Sequence, residues 1–167
     1  MALILGIDPG SIKTGFGIIS HEGGRSEYIT SGLIRLPRTS LPERLKIIHD
    51  SVAELLDEYC PQELAIEEVF LARDAKAAIK LGQARGAAIL ACVNKDMPVY
   101  EYAAKSIKQA VVGTGGADKE QVQHMVKSLL KLPAAPAEDA ADALAAALCH
   151  AHTQQSMIRM ARSRQVR

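Results

Sequence analysis

Hydrophobic residues recur along this chain in several distinct rhythms, and each rhythm predicts an element. Residues 2 to 8 are nearly all aliphatic, as in a strand covered on both faces, and Asp8-Pro9-Gly10 ends the run in a turn. From Thr14 to Leu36, short β-prone runs (16–20, 28–30 and 33–36) are separated by Glu22-Gly23-Gly24 and Ser31-Gly32. This spacing predicts two further strands joined as hairpins, so that the chain opens with three antiparallel strands. Ser40 followed by Glu43 has capping-box spacing, and Leu45, Ile48, Val52, Leu55 and Tyr59 then recur at helical intervals as far as Cys60-Pro61. Leu64 to Phe70 reads as a strand, Asp74 to Lys95 as a long alanine-rich helix and Pro98 to Tyr102 as a short strand. Helices over 104–112, 119–131 and 138–152 follow, divided by Gly113-Thr114-Gly115-Gly116 and Pro133-Ala134-Ala135-Pro136. The order predicts an α/β fold: a mixed five-stranded sheet, three antiparallel strands then parallel ones, with helices on both faces. One domain is expected over 1–152, followed by a basic, flexible tail over 153–167.

A chain of 167 residues with 48% hydrophobic residues can bury a core without disulfide or metal staples. The first nine residues carry no basic segment, and no uncharged stretch approaches a membrane span, so no membrane partner and a cytoplasmic location are expected. Cys60, Cys92 and Cys149 lie far apart without zinc-site spacing and read as small core residues. A formal net charge of +1 excludes binding by bulk charge alone. Local excesses remain: Arg159, Arg162, Arg164 and Arg167 in the tail, and Arg73, Lys76, Lys80 and Arg85 in the middle of the chain.

Carboxylates are common, so only unfavourable placements are informative. From Ala140 to Cys149 the predicted helix is apolar on every side except for Asp142, and such a helix is normally buried. Asp139, three residues earlier, shares its face with Cβ atoms roughly 5 to 6 Å apart. Two like charges near a core need a proton, a basic partner or a cation; the bland alternative is a favourable pair of acids at a helix N-terminus. Asp8 and Glu67 each stand toward the C-terminal end of an apolar strand, where open sheets place their ligands. If the two strands are neighbours, four acids converge. An all-oxygen cluster suits Mg²⁺ and phosphoryl transfer. Glu68 rivals Glu67, since adjacent strand residues face opposite ways and the pattern alone does not choose. His124, His150 and His152 read as structural or solvent-facing, and the Gly10–Gly15 stretch fails as a phosphate loop because Phe16 stands where its Lys belongs.

Four segments, Gly6-Ile-Asp-Pro-Gly-Ser11 with Thr14-Gly15, Ala65-Ile-Glu-Glu-Val-Phe70, Lys80-Leu-Gly-Gln-Ala-Arg-Gly86 and Asp139-Ala-Ala-Asp-Ala-Leu144, resemble the bacterial crossover-junction endonuclease family RuvC in the same order. The resemblance spans about residues 2 to 152. It implies a ribonuclease H-like fold and a homodimer that cuts four-way DNA junctions symmetrically with Mg²⁺ or Mn²⁺, with two ions expected per site. It also implies the branch-migration proteins RuvA and RuvB as partners. The family's catalytic acids fall on Asp8, Glu67, Asp139 and Asp142, which favours Glu67 over Glu68. It further implies that Phe70 contacts bases near the junction centre, where an aromatic can stack on an unpaired base. Lys108 and Lys119 match basic positions near the cleaved phosphate. Arg73, Lys76, Lys80 and Arg85 are expected to contact DNA. Gly82 and Gly86, with Ala75, Ala78, Ala87 and Ala91, give the long helix small-residue surfaces suited either to a dimer contact or to its own sheet. Two rival readings are an actin-like or sugar-kinase-like ATPase, which needs a second lobe that this length does not supply, and a junction-binding module that does not cut.

Overall fold

The computed structural model describes residues 1–69 and 74–165. Strands β1 (Ala2–Asp8), β2 (Lys13–Glu22) and β3 (Arg25–Arg35) form the antiparallel opening. They are followed by α1 (Leu41–Tyr59), β4 (Glu63–Glu67), α2 (Ala75–Val93), β5 (Val99–Tyr102), α3 (Ala104–Val112), α4 (Lys119–Leu129) and α5 (Glu138–Gln165). The sheet order is β3-β2-β1-β4-β5, with β4 and β5 parallel to β1. The mixed five-stranded sheet expected from the sequence is present.

Strand parity distributes the chain between two cores. Ile4, Ile19 and Ala65 pack with α3, α4 and α5, whereas Leu5, Ile7, Ile18, Leu64 and Ile66 pack with α1 and α2. Because side chains alternate along a strand, Asp8 falls on the same face as Ile4, and Glu67 on the same face as Ala65. Both acids therefore emerge beneath α5.

The helix termini follow local chemistry. Glu43 accepts from the Ser40 N–H at 2.9 Å, as the capping-box spacing predicts, and Asp74 accepts from the N–H groups of Lys76 and Ala77 at the start of α2. Three expectations need correction. Helix α5 does not stop at residue 152 but continues to Gln165, because Thr153–Gln165 contains neither Pro nor Gly and is rich in helix formers. The basic segment expected as a flexible tail is thus an extension of that helix, with Arg159, Arg162 and Arg164 exposed on it; Arg167 lies outside the described residues. The second correction is Cys60, which is exposed at the left-handed C-cap of α1, while Cys92 and Cys149 are buried as expected. The third is α4, which ends at Leu129 rather than at 131, where Lys131 takes a left-handed conformation. Among the described residues no helix is long and apolar enough to cross a membrane.

Candidate active site

Helix α5 lies unusually close to the sheet because glycines on the strands leave room for its backbone. A Cβ on Gly6 would stand 1.9 Å from the Ala143 carbonyl oxygen, and one on Gly15 would stand 2.0 Å from that of Asp139. No side chain fits in either gap. Gly15 pairs across the ladder with Asp8. The first two turns of α5 are thereby pressed onto the end of β1, with Asp139 and Asp142 brought to the level of Asp8. From Ala140 to Ala151 every residue is buried except Asp142, the acid singled out by the pattern.

The other half of α5 is pinned by a buried hydrogen-bond network. His150 is fully buried, its Nε2 is 2.9 Å from Glu63 Oε2, and its Nδ1 is 2.6 Å from the Tyr102 hydroxyl. Gln154 donates to both Glu63 oxygens at 2.8 and 2.9 Å. A carboxylate only accepts, so Nε2 donates to Glu63, and in the neutral ring the Tyr102 hydroxyl donates to Nδ1. Burial pushes the Tyr102 hydroxyl up to about 12, which keeps it a neutral donor. His150 is structural, as expected; its partners were invisible in the sequence because they come from β4 and β5.

Asp8 and Glu67 stand at the C-terminal ends of adjacent parallel strands, one step beyond the Ile7–Ile66 pair. The electrostatics show that the acids share one space. Burial, and then Asp142, Asp139 and Glu67 in that order, push the Asp8 carboxyl up from 3.8 to about 8. Burial and the neighbouring Asp142 raise Glu67, with Lys108 opposing. Burial also raises Asp142, with Lys119 opposing and Glu138 and Asp139 adding to the rise. Desolvated acids that repel one another are tolerated only with protons or cations among them, and four carboxylates are a donor set for a hard divalent ion. Among the described residues, however, no three His, Cys, Asp or Glu groups are gathered closely enough to hold one ion. Asp139 is turned instead toward Lys13, whose Nζ lies 2.5 Å from its Oδ2. The acids surround a shared space without closing on a point, and side-chain rotation would be needed to close them.

The positions expected to touch DNA divide. Lys108 and Lys119 stand close enough to influence the acids, and Lys119 is also paired with Glu138. Lys76 and Lys80 are exposed on the first turns of α2 and make no ion pair among the described residues. Arg85 corrects its expectation: its side chain is only 16% exposed, it donates through Nε to the Glu67 carbonyl at 3.1 Å, and it pairs with Glu101 at 2.9 Å. It braces the end of β4 rather than reaching outward. Phe70 and Arg73 lie outside the described residues. Glu68 is exposed, just beyond β4. Thr14, fully buried, accepts from the Gly10 N–H and donates to the Gly10 carbonyl, which closes the turn after Asp8. On α2, Ala84, Ala88, Ala91 and Cys92 face the core, whereas an added Cβ on Gly82 or Gly86 would meet nothing. Sequence reasoning missed Lys13, although its place five residues after Asp8, just past a tight turn, was a usable signal.

A cleft of about 830 Å³ is lined by residues 24–28 and 129–133 with Leu148 and His152, and holds none of the four acids. Asp8, Glu67, Asp139 and Asp142 are each partly exposed.

A family model described as crossover junction endodeoxyribonuclease RuvC matches residues 4–150. The chain belongs to the RuvC family. RuvC of Teredinibacter turnerae is 62% identical over 172 residues, covering 100% of this chain and 97% of that protein. RuvC of Saccharophagus degradans is 61% identical over 168 residues with the same coverages. Among solved structures, RuvC of Thermus thermophilus superposes with a TM-score of 0.84 at 36% identity, covering 92% of this chain and 96% of that one. The same organism's RuvC in complex with Holliday junction substrate gives 0.87 at 35% identity, covering 93% and 96%. The ribonuclease H-like fold of RuvC is therefore the fold of this chain.

Proposed function

We propose that this chain is a structure-selective endonuclease that resolves four-way Holliday junctions by symmetric, metal-dependent hydrolysis of phosphodiester bonds, in recombination and repair. One observation carries the reading: Asp8 and Glu67 end neighbouring parallel strands directly under the only acid, Asp142, in an otherwise buried stretch of α5. Asp8, Glu67, Asp139 and Asp142 would hold Mg²⁺, with Mn²⁺ as a substitute and two ions per site. Bound there, the metal supplies activation of a water on one side of phosphorus and stabilisation of the leaving oxygen on the other.

The chain's own residues do the rest. The acids fix positions and bind no phosphate, since anion repels anion. Lys108 and Lys119 flank them as cations for the phosphate charge, and Lys76 and Lys80 are exposed at the start of α2 for DNA; Phe70 and Arg73, from the stretch of sequence before it, are proposed as further DNA contacts. Junction shape, and not bulk charge, would select the substrate.

Two equivalent cuts need two sites related by twofold symmetry, hence a homodimer. Support for the contact comes from the outer stripe of α2, where Ile79, Leu90 and Val93 are exposed beside the open Gly82 and Gly86. RuvA and RuvB are proposed as partners, in the cytoplasm. The deciding experiment incubates the protein with a synthetic four-way junction and Mg²⁺ beside linear duplex. Paired nicks across the junction are expected; duplex cut as fast as junction, or no nicking with either metal, overturns the proposal.

A further inference from the structure

Among the described residues, Lys13 is the only cation paired directly with one of the four acids. It opens β2, and its Nζ stands 2.5 Å from Asp139 Oδ2, with side-chain exposures of 49% for the lysine and 19% for the acid. Asp139 Oδ2 itself is closed off from solvent and receives no hydrogen bond of good geometry. The lysine's positive charge is therefore what compensates it. Arg35 lies across the ladder from Lys13 and places a second cation behind the first.

A carboxylate offers lone pairs on both oxygens, so a lysine on one of them competes with a metal ion chiefly through its charge. An ammonium group seated on one oxygen weakens its donation to a divalent ion, and the two positive charges repel at that range. We propose that Lys13 is a built-in counter-ion of the metal-free protein: it occupies the Asp139 arm of the metal site and competes with the divalent cation for that arm. The inference rests on the metal site proposed above. Exchange needs no backbone movement, because the lysine stem is half exposed and flexible, whereas Asp139 is anchored on a helix that the strand glycines hold in place. Lys13 thus acts on metal loading and not on the reacting atoms, and is a positioning residue.

The test is calorimetric titration of Mn²⁺ into DNA-free protein. Lys13→Met removes the competitor and is expected to tighten Mn²⁺ binding about two- to fivefold, the range that loss of a partly exposed ion pair allows. Lys13→Arg is expected to stay near wild type. In an Asp139→Asn background the Lys13→Met effect is expected to vanish, because the negative charge that holds the lysine is gone. In ¹³C-lysine NMR the Lys13 side-chain resonance is expected to move on Mg²⁺ addition and to saturate with the calorimetric isotherm. Equal affinities for wild type and Lys13→Met, or the same tightening without Asp139, overturn the counter-ion role while leaving the metal site intact. Wild-type protein that takes up no Mn²⁺ overturns the metal site itself, and this inference with it. Lys13→Gln provides a second variant should the methionine form fold poorly.

Discussion

Replacing Asp8 by Asn separates what the acid cluster costs from what it does. In the metal-free protein the Asp8 carboxyl is pushed up from 3.8 to about 8 by burial beside three other acids. Between those values the folded chain holds a proton that the unfolded chain has already released. Stability therefore falls as pH rises through that window, and the loss is complete above pH 8. At about 1.4 kcal/mol per unit, the ceiling on this cost is about 5 to 6 kcal/mol. Water reaching the partly exposed acids and rotation of their side chains reduce it, so that Asp8→Asn, which keeps the shape and removes the charge, is expected to stabilise the metal-free protein by about 1 to 3 kcal/mol at pH 8. At roughly 2 to 4 °C per kcal/mol for a chain of this size, the melting temperature rises by several degrees. The gain should shrink steadily toward pH 4. Thermal melts in EDTA at three pH values measure it, and a parallel assay should show cleavage abolished with junction binding retained. A variant less stable than wild type at pH 8, or a gain that does not change with pH, would refute the reasoning that these acids are held together against their own repulsion.

Gly6→Ala places a methyl group against the Ala143 carbonyl oxygen, backbone against backbone, so α5 must lift. Stability is expected to fall by about 2 to 4 kcal/mol, and cleavage should fall with it because Asp139 and Asp142 ride on that helix; urea melts and a nicking assay check both. Glu67→Gln should abolish nicking while Glu68→Gln leaves it within a few-fold, and equal losses would contradict the strand parity that turns Glu67 toward α5. His150→Leu removes one of the two side-chain donors on Glu63 and the partner of the Tyr102 hydroxyl, at an expected cost of about 1 to 3 kcal/mol; a change below about 0.5 kcal/mol in chemical denaturation would show that the network does not anchor α5.

Much of the fold was legible because each element is announced by a local rule. The aliphatic run of β1, the capping spacing of Ser40 and Glu43 and the apolar surround of Asp142 are all readable without knowing any neighbour. Misreadings arose where a local signal had two physical outcomes. Arg85 looked like one of four cations offered to DNA, but cationic spacing along a helix does not say which member turns inward, and Arg85 turned to the Glu67 carbonyl and Glu101. The basic end of the chain read as a tail because charge suggested solvation, while its helix-forming composition let α5 run on.

The sequence by itself determined the kinds of element, their order and the identity of the acids worth suspecting, because these depend on periodicity, caps and the cost of placing charge in apolar surroundings. Only the tertiary structure decided that Asp8 and Glu67 face α5, that Gly6 and Gly15 let that helix descend to them, and that Lys13 answers Asp139. Those facts depend on which strands are neighbours and which face a distant helix covers, and no local stretch of chain carries that information.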